Sequence, residues 1–557
     1  FLTMVNVKNL FGMAVMATAL VGCSSNDNLA PDGKDNVGKT GEAYASFTIN
    51  LPTTRATRVA GEPSFAEGDA KEYEVKNGTI LIFTNDGKFV TSAQLGNMNP
   101  WKDIKTDGVT TAATATVQLT NVKVGGSYQA LVLLNNDVDA STSKVKLPLA
   151  GESYADWNAN AANATASYTK TDYIFMANAP MYAGTSTEPT TLVPVANICA
   201  SREQAEAQPA TTVYVERGLA KVTMHKFNDG GYTIAAGTYE GGKVEITAWQ
   251  LDVTNKSTFP VHQTDGLMTA WDQIWNTGRF FDATSSMFQR VYWGKDPNYS
   301  GGALQNLAAC KDAFNMITND KVVGEAGIEN PQYCLENTFD LANMMQGQTT
   351  RVVFKAVFTP KDFVTGQTFY KIGNTTAIWD ATKLAQQIKT VALKAMKITT
   401  TDEQAKYSVD LSKGSNISGV AGLHKIEAEN ITFTGEGESK VKPAVVDEIN
   451  DKLGLKEAGI STYLNGEAYY IARIKHFNEL TPWTAGTPYN GDNNAFLGRY
   501  GVLRNNWYDL SVNSISGLGY PDVPEVKPTV PDDENEQYIN VEVKILNWAK
   551  RSQSIDL

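Results

Sequence analysis

Histidine and cysteine are scarce, with four of each in 557 residues. That leaves little material for a metal centre or for thiol chemistry. No H-E-x-x-H, C-x-x-C or G-x-S-x-G pattern occurs. His225, His262, His424 and His476 stand singly, without a second ligand at metal spacing, and structural roles are expected for them. Positive charge is the minority: 48 Lys and Arg face 60 Asp and Glu, a net charge of -12. With no long basic block there is no groove for tracking phosphates, which argues against a nucleic-acid partner. Charged residues amount to only 19%, below the usual share of about 25%. Hydrophobic residues reach 42%, too many for a disordered chain. No repeat of solenoid or propeller period is found. An acidic, well-packed protein of two to four domains is expected, with no cofactor, metal or enzyme chemistry.

The N-terminus indicates export. Lys8 precedes an apolar stretch from Leu10 to Val21, the form of a secretion signal and too short to span a bilayer comfortably. Leu20-Val21-Gly22-Cys23 has the form of a lipobox, in which Cys23 is acylated and becomes the new N-terminus. The polar run from Ser24 to Thr40 then serves as a tether. Several acyl chains on one cysteine would make a stable anchor. An ordinary secretory signal with an incidental Cys23 is the plainer alternative. The chain opens at Phe1 rather than Met, which leaves the start of the precursor open. No other segment is long and apolar enough for a membrane-spanning helix.

Within the tether, Gly33-Lys34-Asp35-Asn36-Val37-Gly38-Lys39-Thr40 matches the P-loop pattern letter for letter. That motif needs a buried strand before it and a helix after it, so that loop amides and a helix N-terminus surround the phosphates. Here a polar coil precedes it and an alternating strand follows. The match is a coincidence of composition.

Strand patterns dominate the rest. In Ala43–Leu51 the residues Ala43, Ala45, Phe47, Ile49 and Leu51 share one face, and Tyr44, Ser46, Thr48 and Asn50 the other. Thr79–Phe83 ends at the hairpin signal Asn85-Asp86-Gly87. Ala130–Leu134 reads as a buried strand closed by Asn135-Asn136, and Val213–Val222 as one long strand. Helical stripes follow a cap at Asp380 (Leu384, Ile388, Val391, Ala395) and precede Gly454 (Val446, Ile449, Leu453). A third stripe, Leu304, Leu307, Cys310, Phe314 and Ile317, makes Cys310 a core residue. Many short strands with Gly, Asn and Asp punctuation indicate β-sandwiches. Polar stretches at Ser201–Pro209 and Pro521–Glu534 divide the chain into domains of about 56–210 and 211–520. A proline-stiffened arm with a terminal strand occupies 521–557. An exported protein permits a Cys310–Cys334 disulfide.

The two ends of the chain ask for each other. Ile539, Val541, Val543 and Ile545 alternate with Asn540, Glu542 and Lys544 in a strand that runs on to Trp548. An apolar edge strand is an aggregation hazard unless paired; the plain alternative is that it completes its own domain. Directly behind the first strand, Pro52-Thr53-Thr54-Arg55-Ala56-Thr57-Arg58-Val59 offers two arginines to a trypsin-like protease. Cleavage would remove the first strand and open a groove, which a strand from another molecule could fill. Head-to-tail contacts of that kind make open filaments.

These pieces, in order, resemble the fimbrillins of the type V pilus family, most of all the major subunit of the short, or minor, fimbriae. The resemblance runs through essentially the whole chain. It takes in the lipobox ending at Cys23, the Arg55/Arg58 region, Leu133-Leu134-Asn135-Asn136, Phe175–Met181, Val213–Val222, Tyr469-Tyr470-Ile471 with His476, Gly501–Ile515 and Gly517-Leu518-Gly519-Tyr520-Pro521. It implies a mainly β fold of two tandem, transthyretin-like β-sandwiches with a few short helices and a C-terminal donor strand. Residues 1–23 would be the lipoprotein signal and 24–55 a propeptide carrying the removable strand. Export as an outer-membrane lipoprotein precursor is implied, followed by cleavage by an Arg-specific, gingipain-type protease at Arg55–Ala56, or alternatively Arg58–Val59. Tyr538–Leu557 would then fill the groove of the next, identical subunit in extracellular fimbriae. Further partners would be anchor and tip subunits and host or bacterial receptors, in adhesion, coaggregation, biofilm formation and virulence. The membrane would be touched only through the precursor lipid. Accessory tip or anchor subunits share parts of the pattern. A rival class is a non-polymerising, glycan-binding surface lipoprotein, for which 10 Trp and 23 Tyr supply aromatics, although their scatter favours core positions. Residues 1–55 carry Lys8, Lys34, Lys39 and Arg55 against Asp27, Asp32, Asp35 and Glu42. A cut after Arg55 therefore leaves the net charge of -12 on the mature chain.

Overall fold

Period-two alternation sorts each strand into two faces, and the first of two β bodies follows it closely. The computed structural model describes residues 41–51, 65–66, 69–95, 103–104, 110–137, 139, 142–160, 168–182, 189–267, 289–290, 293–300, 302, 304–476, 497–532 and 539–548. The fold is mainly β, with several sheets and few helices. The strands β1 (Gly41–Asn50), β2 (Gly78–Thr84), β3 (Phe89–Gln94), β4 (Thr110–Val122), β5 (Tyr128–Leu134), β6 (Met176–Asn178) and β7 (Thr211–Arg217) form one sheet. The short strands Asp103–Ile104 and Val193–Pro194 complete it, in the order β3-β2-β5-β6-β7-β1-β4 with Asp103–Ile104 beyond β4. The turn at Asn85-Asp86-Gly87 joins β2 to β3, with Gly87 at φ 76° as a left-handed turn requires. Near the two ends of the sheet β3 and β4 come side by side, the Thr91 and Thr120 hydroxyls 3.0 Å apart. The sheet thus closes around Phe47, Ile49, Ile80, Ile82, Leu119, Val132 and Val213.

The second body uses β8 (Ala220–Met224), β9 (Lys243–Asp252), β10 (Gly327–Cys334), β11 (Arg351–Thr359), β12 (Glu467–Arg473), β13 (Asn506–Ile515) and β14 (Ile539–Trp548). One sheet runs β10-β8-β13-β14 and ends in Phe65–Ala66; the other runs from Tyr232–Thr233 through β9-β11-β12. Between them lie Val222, Met224, Trp249, Phe354, Tyr470, Tyr508 and Leu510. Between β11 and β12 the chain makes an insertion with its own core of Tyr370, Leu384, Ile388, Ile449 and Leu455. Its helices, Ala381–Ala395 and Pro443–Lys452, carry the two expected stripes. Asp380 caps the first, accepting the Lys383 N–H at 2.8 Å, and Gly454 follows the second at φ 69°.

Several expectations are corrected. Val213–Val222 is two strands: β7 belongs to the first sheet and β8 to the second. The break falls at Gly218, where a Cβ would lie 2.1 Å from the Tyr168 hydroxyl, too close for any side chain. Strand pairing therefore passes from one body to the other at Gly218–Leu219. The polar run Ser201–Pro209 is no bare linker; it holds the helix Arg202–Ala207. Of the Leu304–Ile317 stripe only Leu307–Ala313 is helical, and Phe314 starts a short strand. Cys310 is a core residue, packed with Val253, Phe314 and Val526. Cys334 sits in a different core, and the two thiols are free rather than bonded. Burial pushes the Cys334 thiol up to about 12.

Charges line the passage between the bodies. Lys221 Nζ lies 2.7 Å from Glu72, both side chains buried, and 3.8 Å from the Trp507 ring centre. The Tyr333 hydroxyl donates to Glu72, and Arg217 Nε donates to the Glu72 carbonyl at 2.8 Å. Nearby, Arg504 Nε reaches Glu336 at 3.1 Å, and His262 Nδ1 lies 2.8 Å from Glu216. Buried charges persist only when paired and hydrogen-bonded. Asp296 is a buried carboxyl that accepts from the Thr338 N–H, the Asn255 amide and the Asn298 N–H. Burial outweighs these donors and pushes it up to about 7.

Two outcomes are expected. Glu72→Ala strands Lys221 and should cost about 3–5 kcal/mol in urea unfolding, whereas Glu72→Gln combined with Lys221→Met should recover most of it. The Asp296 carboxyl is raised in the fold above its unfolded value of about 3.9, so its contribution is complete below that pH and lost as pH rises through about 7. Asp296→Asn should flatten that section of a stability–pH curve.

Candidate functional site

The first strand is held on every side. Along one edge β1 pairs antiparallel with β4, from Ala43↔Leu119 to Asn50↔Ala112. Along the other it pairs parallel with β7, from Phe47↔Thr211 to Asn50↔Tyr214. Tyr44 adds a two-way bridge to Cys199, each N–H reaching the other's carbonyl at 2.9 Å. Ala43, Ala45, Phe47 and Ile49 are 0% exposed and Leu51 2%; all five belong to the core of the first body. The opposite face is covered as well. Ser201 caps the helix Arg202–Ala207, accepting the Gln204 N–H at 3.3 Å, and that helix lies over β1. The Ser46 hydroxyl donates to the Ala205 carbonyl at 2.9 Å and stands 2.7 Å from the Thr116 hydroxyl. Arg202 sits 5.8 Å from the Tyr44 ring centre and donates to the Thr116 carbonyl at 2.9 Å. The Glu203 carboxyl is held below its ordinary value, first by its own backbone N–H and then by the Ser201 hydroxyl.

At the other end of the chain, Ile539, Val541, Val543, Ile545 and Trp548 fall in β14, which completes a sheet of its own chain. It pairs antiparallel with β13, from Asn506↔Asn547 to Ile515↔Ile539. Phe65–Ala66 pairs in parallel with its far end, Phe65↔Asn547 and Ala66↔Trp548. The proline-rich arm before it is stitched down instead of swinging free. Tyr520 and Tyr469 exchange two backbone hydrogen bonds of 2.8 Å, and Arg351 Nη2 donates to the Pro524 carbonyl at 2.6 Å. Val526 is buried, and the Thr349 hydroxyl donates to Asp532 at 2.9 Å. The first and last strands thus lie in different sheets. Cys23, Arg55, Ala56, Arg58 and Val59 lie outside the described residues.

Sequence reasoning missed the covering helix and the Phe65–Ala66 pairing. The helix had a legible signal: Ser201-Arg202-Glu203-Gln204 fits a capping box, and Arg202–Glu206 is an i,i+4 ion pair at 3.6 Å. Two residues of strand leave no periodicity to find. The histidines have local partners: His225 with Asp509, His262 with Glu216, His424 with the Val420 carbonyl and His476 with the Tyr508 hydroxyl, each at 2.8 Å. Among the described residues no group of three or more His, Cys, Asp or Glu is placed to hold a metal ion.

Residues 461–554 match the family model of the C-terminal part of the major fimbrial subunit protein type IV, fimbrillin. That span holds β12, β13, the arm and β14. No curated protein matches the chain. Among solved structures, the chain is similar to a candidate cell adhesion protein from Parabacteroides distasonis, with 11% identity and a TM-score of 0.38 over 92% of this chain and 99% of the other. It is also similar to a fimbrial assembly protein from the same organism, with 15% identity and a TM-score of 0.29 over 60% of this chain and 93% of the other.

The packing of β1 yields one direct expectation. Phe47→Ala leaves a large cavity in the first body and should lower stability by about 3–5 kcal/mol, measured by denaturant unfolding followed through aromatic fluorescence.

Proposed function

We propose that the protein is a structural subunit of cell-surface fimbriae, exported as an outer-membrane lipoprotein and assembled by strand exchange. In this reading Cys23 carries the lipid, an Arg-specific, gingipain-type protease cuts at Arg55–Ala56 or Arg58–Val59, and β1 leaves. The groove between β4 and β7 then accepts β14 of the next identical subunit, with Ile539, Val541, Val543 and Ile545 in place of the apolar face of β1. The two bodies serve as tandem β-sandwiches of transthyretin-like form, the second one supplying the donor. Anchor and tip subunits would bound the filament, and its exposed surface would meet host or bacterial receptors.

One observation carries this reading: a ten-residue strand near the N-terminus is buried on its apolar face, partly covered on the other and paired on both edges. Its loss would expose an apolar slot and two rows of backbone donors and acceptors, a state that a replacement strand would stabilise. β14 also has ten residues and the same alternation. In its own sheet it pairs with β13 along one edge, whereas among the described residues its other edge is paired only at Phe65–Ala66. In the vacated groove both edges would be filled, so exchange would gain ladder hydrogen bonds. The match of residues 461–554 to the fimbrillin C-terminal family supports a fimbrial role and subunit–subunit assembly.

The test is direct. Purified precursor treated with an Arg-specific protease should give a ladder of oligomers on a denaturing gel run without boiling, and deletion of Tyr538–Leu557 should abolish the ladder. Cleaved, intact protein that stays monomeric would sink the polymer reading.

A further inference from the structure

We propose that Phe65–Ala66, moored a few residues on by the helix Ala70–Tyr73, is a retaining strap, which holds the terminal strand in its own sheet and sets the rate at which that strand is released. The inference rests on the strand-exchange reading and adds to it a contact that opposes exchange.

Strand β14 has two ends, and they are held differently. On the Ile539 side it follows an arm fastened through Arg351–Pro524, Thr349–Asp532 and the Asp532 N–H to the Met344 carbonyl at 3.1 Å. On the Trp548 side, among the described residues, the outer edge meets Phe65–Ala66 and no other strand. A strand leaves a sheet by fraying from an end, since each residue freed there regains backbone entropy. The parallel pairing Phe65↔Asn547 and Ala66↔Trp548 therefore clamps one of the two positions at which peeling can start.

The clamp is itself anchored a few residues downstream. The helix Ala70–Tyr73 carries Glu72, 1% exposed, whose carboxylate meets Lys221 at 2.7 Å and accepts from the Tyr333 hydroxyl. Its other oxygen accepts the Asp69 N–H at 2.9 Å, while its carbonyl takes Arg217 Nε at 2.8 Å. With Glu72 buried on the second body, Ala66 stays within a short tether of Trp548, and its effective concentration at the strand stays high. Arg55 and Arg58 both precede the strap. Cleavage thus removes β1 and leaves the strap in place, so a cleaved subunit with an open groove still holds its own donor strand. Groove opening and donor release become separate steps.

The test uses the full-length chain and two readouts. Neighbouring strand residues turn their N–H groups to opposite edges, so one of Phe65→Pro and Ala66→Pro takes an N–H from the short ladder, and neither touches β13. Hydrogen–deuterium exchange of amides 539–548 should quicken about tenfold, as expected for one or two lost hydrogen bonds, with amides 41–50 unchanged. After Arg-specific cleavage the variants should form oligomers correspondingly faster than wild type. Conversely, Ala66→Cys with Trp548→Cys joins ladder partners whose spacing suits a disulfide; the oxidised form should not oligomerise and the reduced form should. Unchanged exchange at 539–548 in both proline variants overturns the strap, as does wild-type oligomerisation of the oxidised double variant. Faster exchange at 539–548 without oligomers from any cleaved chain, wild type included, upholds the retaining contact and overturns the polymer reading instead.

Discussion

Backbone N–H and C=O groups inside a sheet must be paired or hydrated, and the first body meets that requirement only because β1 lies between β4 and β7. The segment works through position rather than chemistry. It carries the inward face of the core with Phe47, Ile49 and Leu51, and it supplies backbone partners to two neighbours and to Cys199. Helix Arg202–Ala207 lies over it from the other side. Everything else in the first body is arranged about a strand that comes near the start of the chain, before the first body's other strands.

The second body is fastened to the first by an apolar cluster that includes Leu81, Phe83, Leu133, Leu335 and Trp507, and by charge. Glu72, Arg217, Lys221, Glu336 and Arg504 are almost wholly buried, each with a hydrogen-bonded partner. Such pairs add little net stability relative to apolar substitutes, but a misplaced one is costly, so they fix orientation. The chain from β1 to Glu72 touches both bodies, since Phe65–Ala66 lies against β14.

Much of this was legible in the sequence, for physical reasons. Ala43–Leu51 and Ile539–Trp548 alternate cleanly, and alternation survives any tertiary context that buries one face. Asp380 and Gly454 mark helix ends because their side-chain and backbone chemistry is local. Where the signal was not local, the reading failed. Val213–Val222 has the composition of one strand, and its two halves part only because they pair in different sheets, which no local signal marks. The arm from Pro521 reads as a proline-stiffened linker, yet Arg351 and Thr349 bind it through contacts distant in sequence. The paired edges of β1 were inferable in kind, but the identity of β4 and β7 as neighbours was not.

The helical insertion between β11 and β12 has a consequence for how such a chain can vary. It leaves at Thr359 and returns at Glu467, on strands that are direct neighbours with Val357 opposite Glu467. It packs around its own apolar cluster, while Phe369 and Tyr463 reach into the core of the second body. Substitution on its outer surface, where Val420 and Leu423 are exposed, is therefore absorbed within the insertion, whereas its base is tied to the sheet below. Sequence can thus diverge on that outer surface while β11 and β12 keep their register.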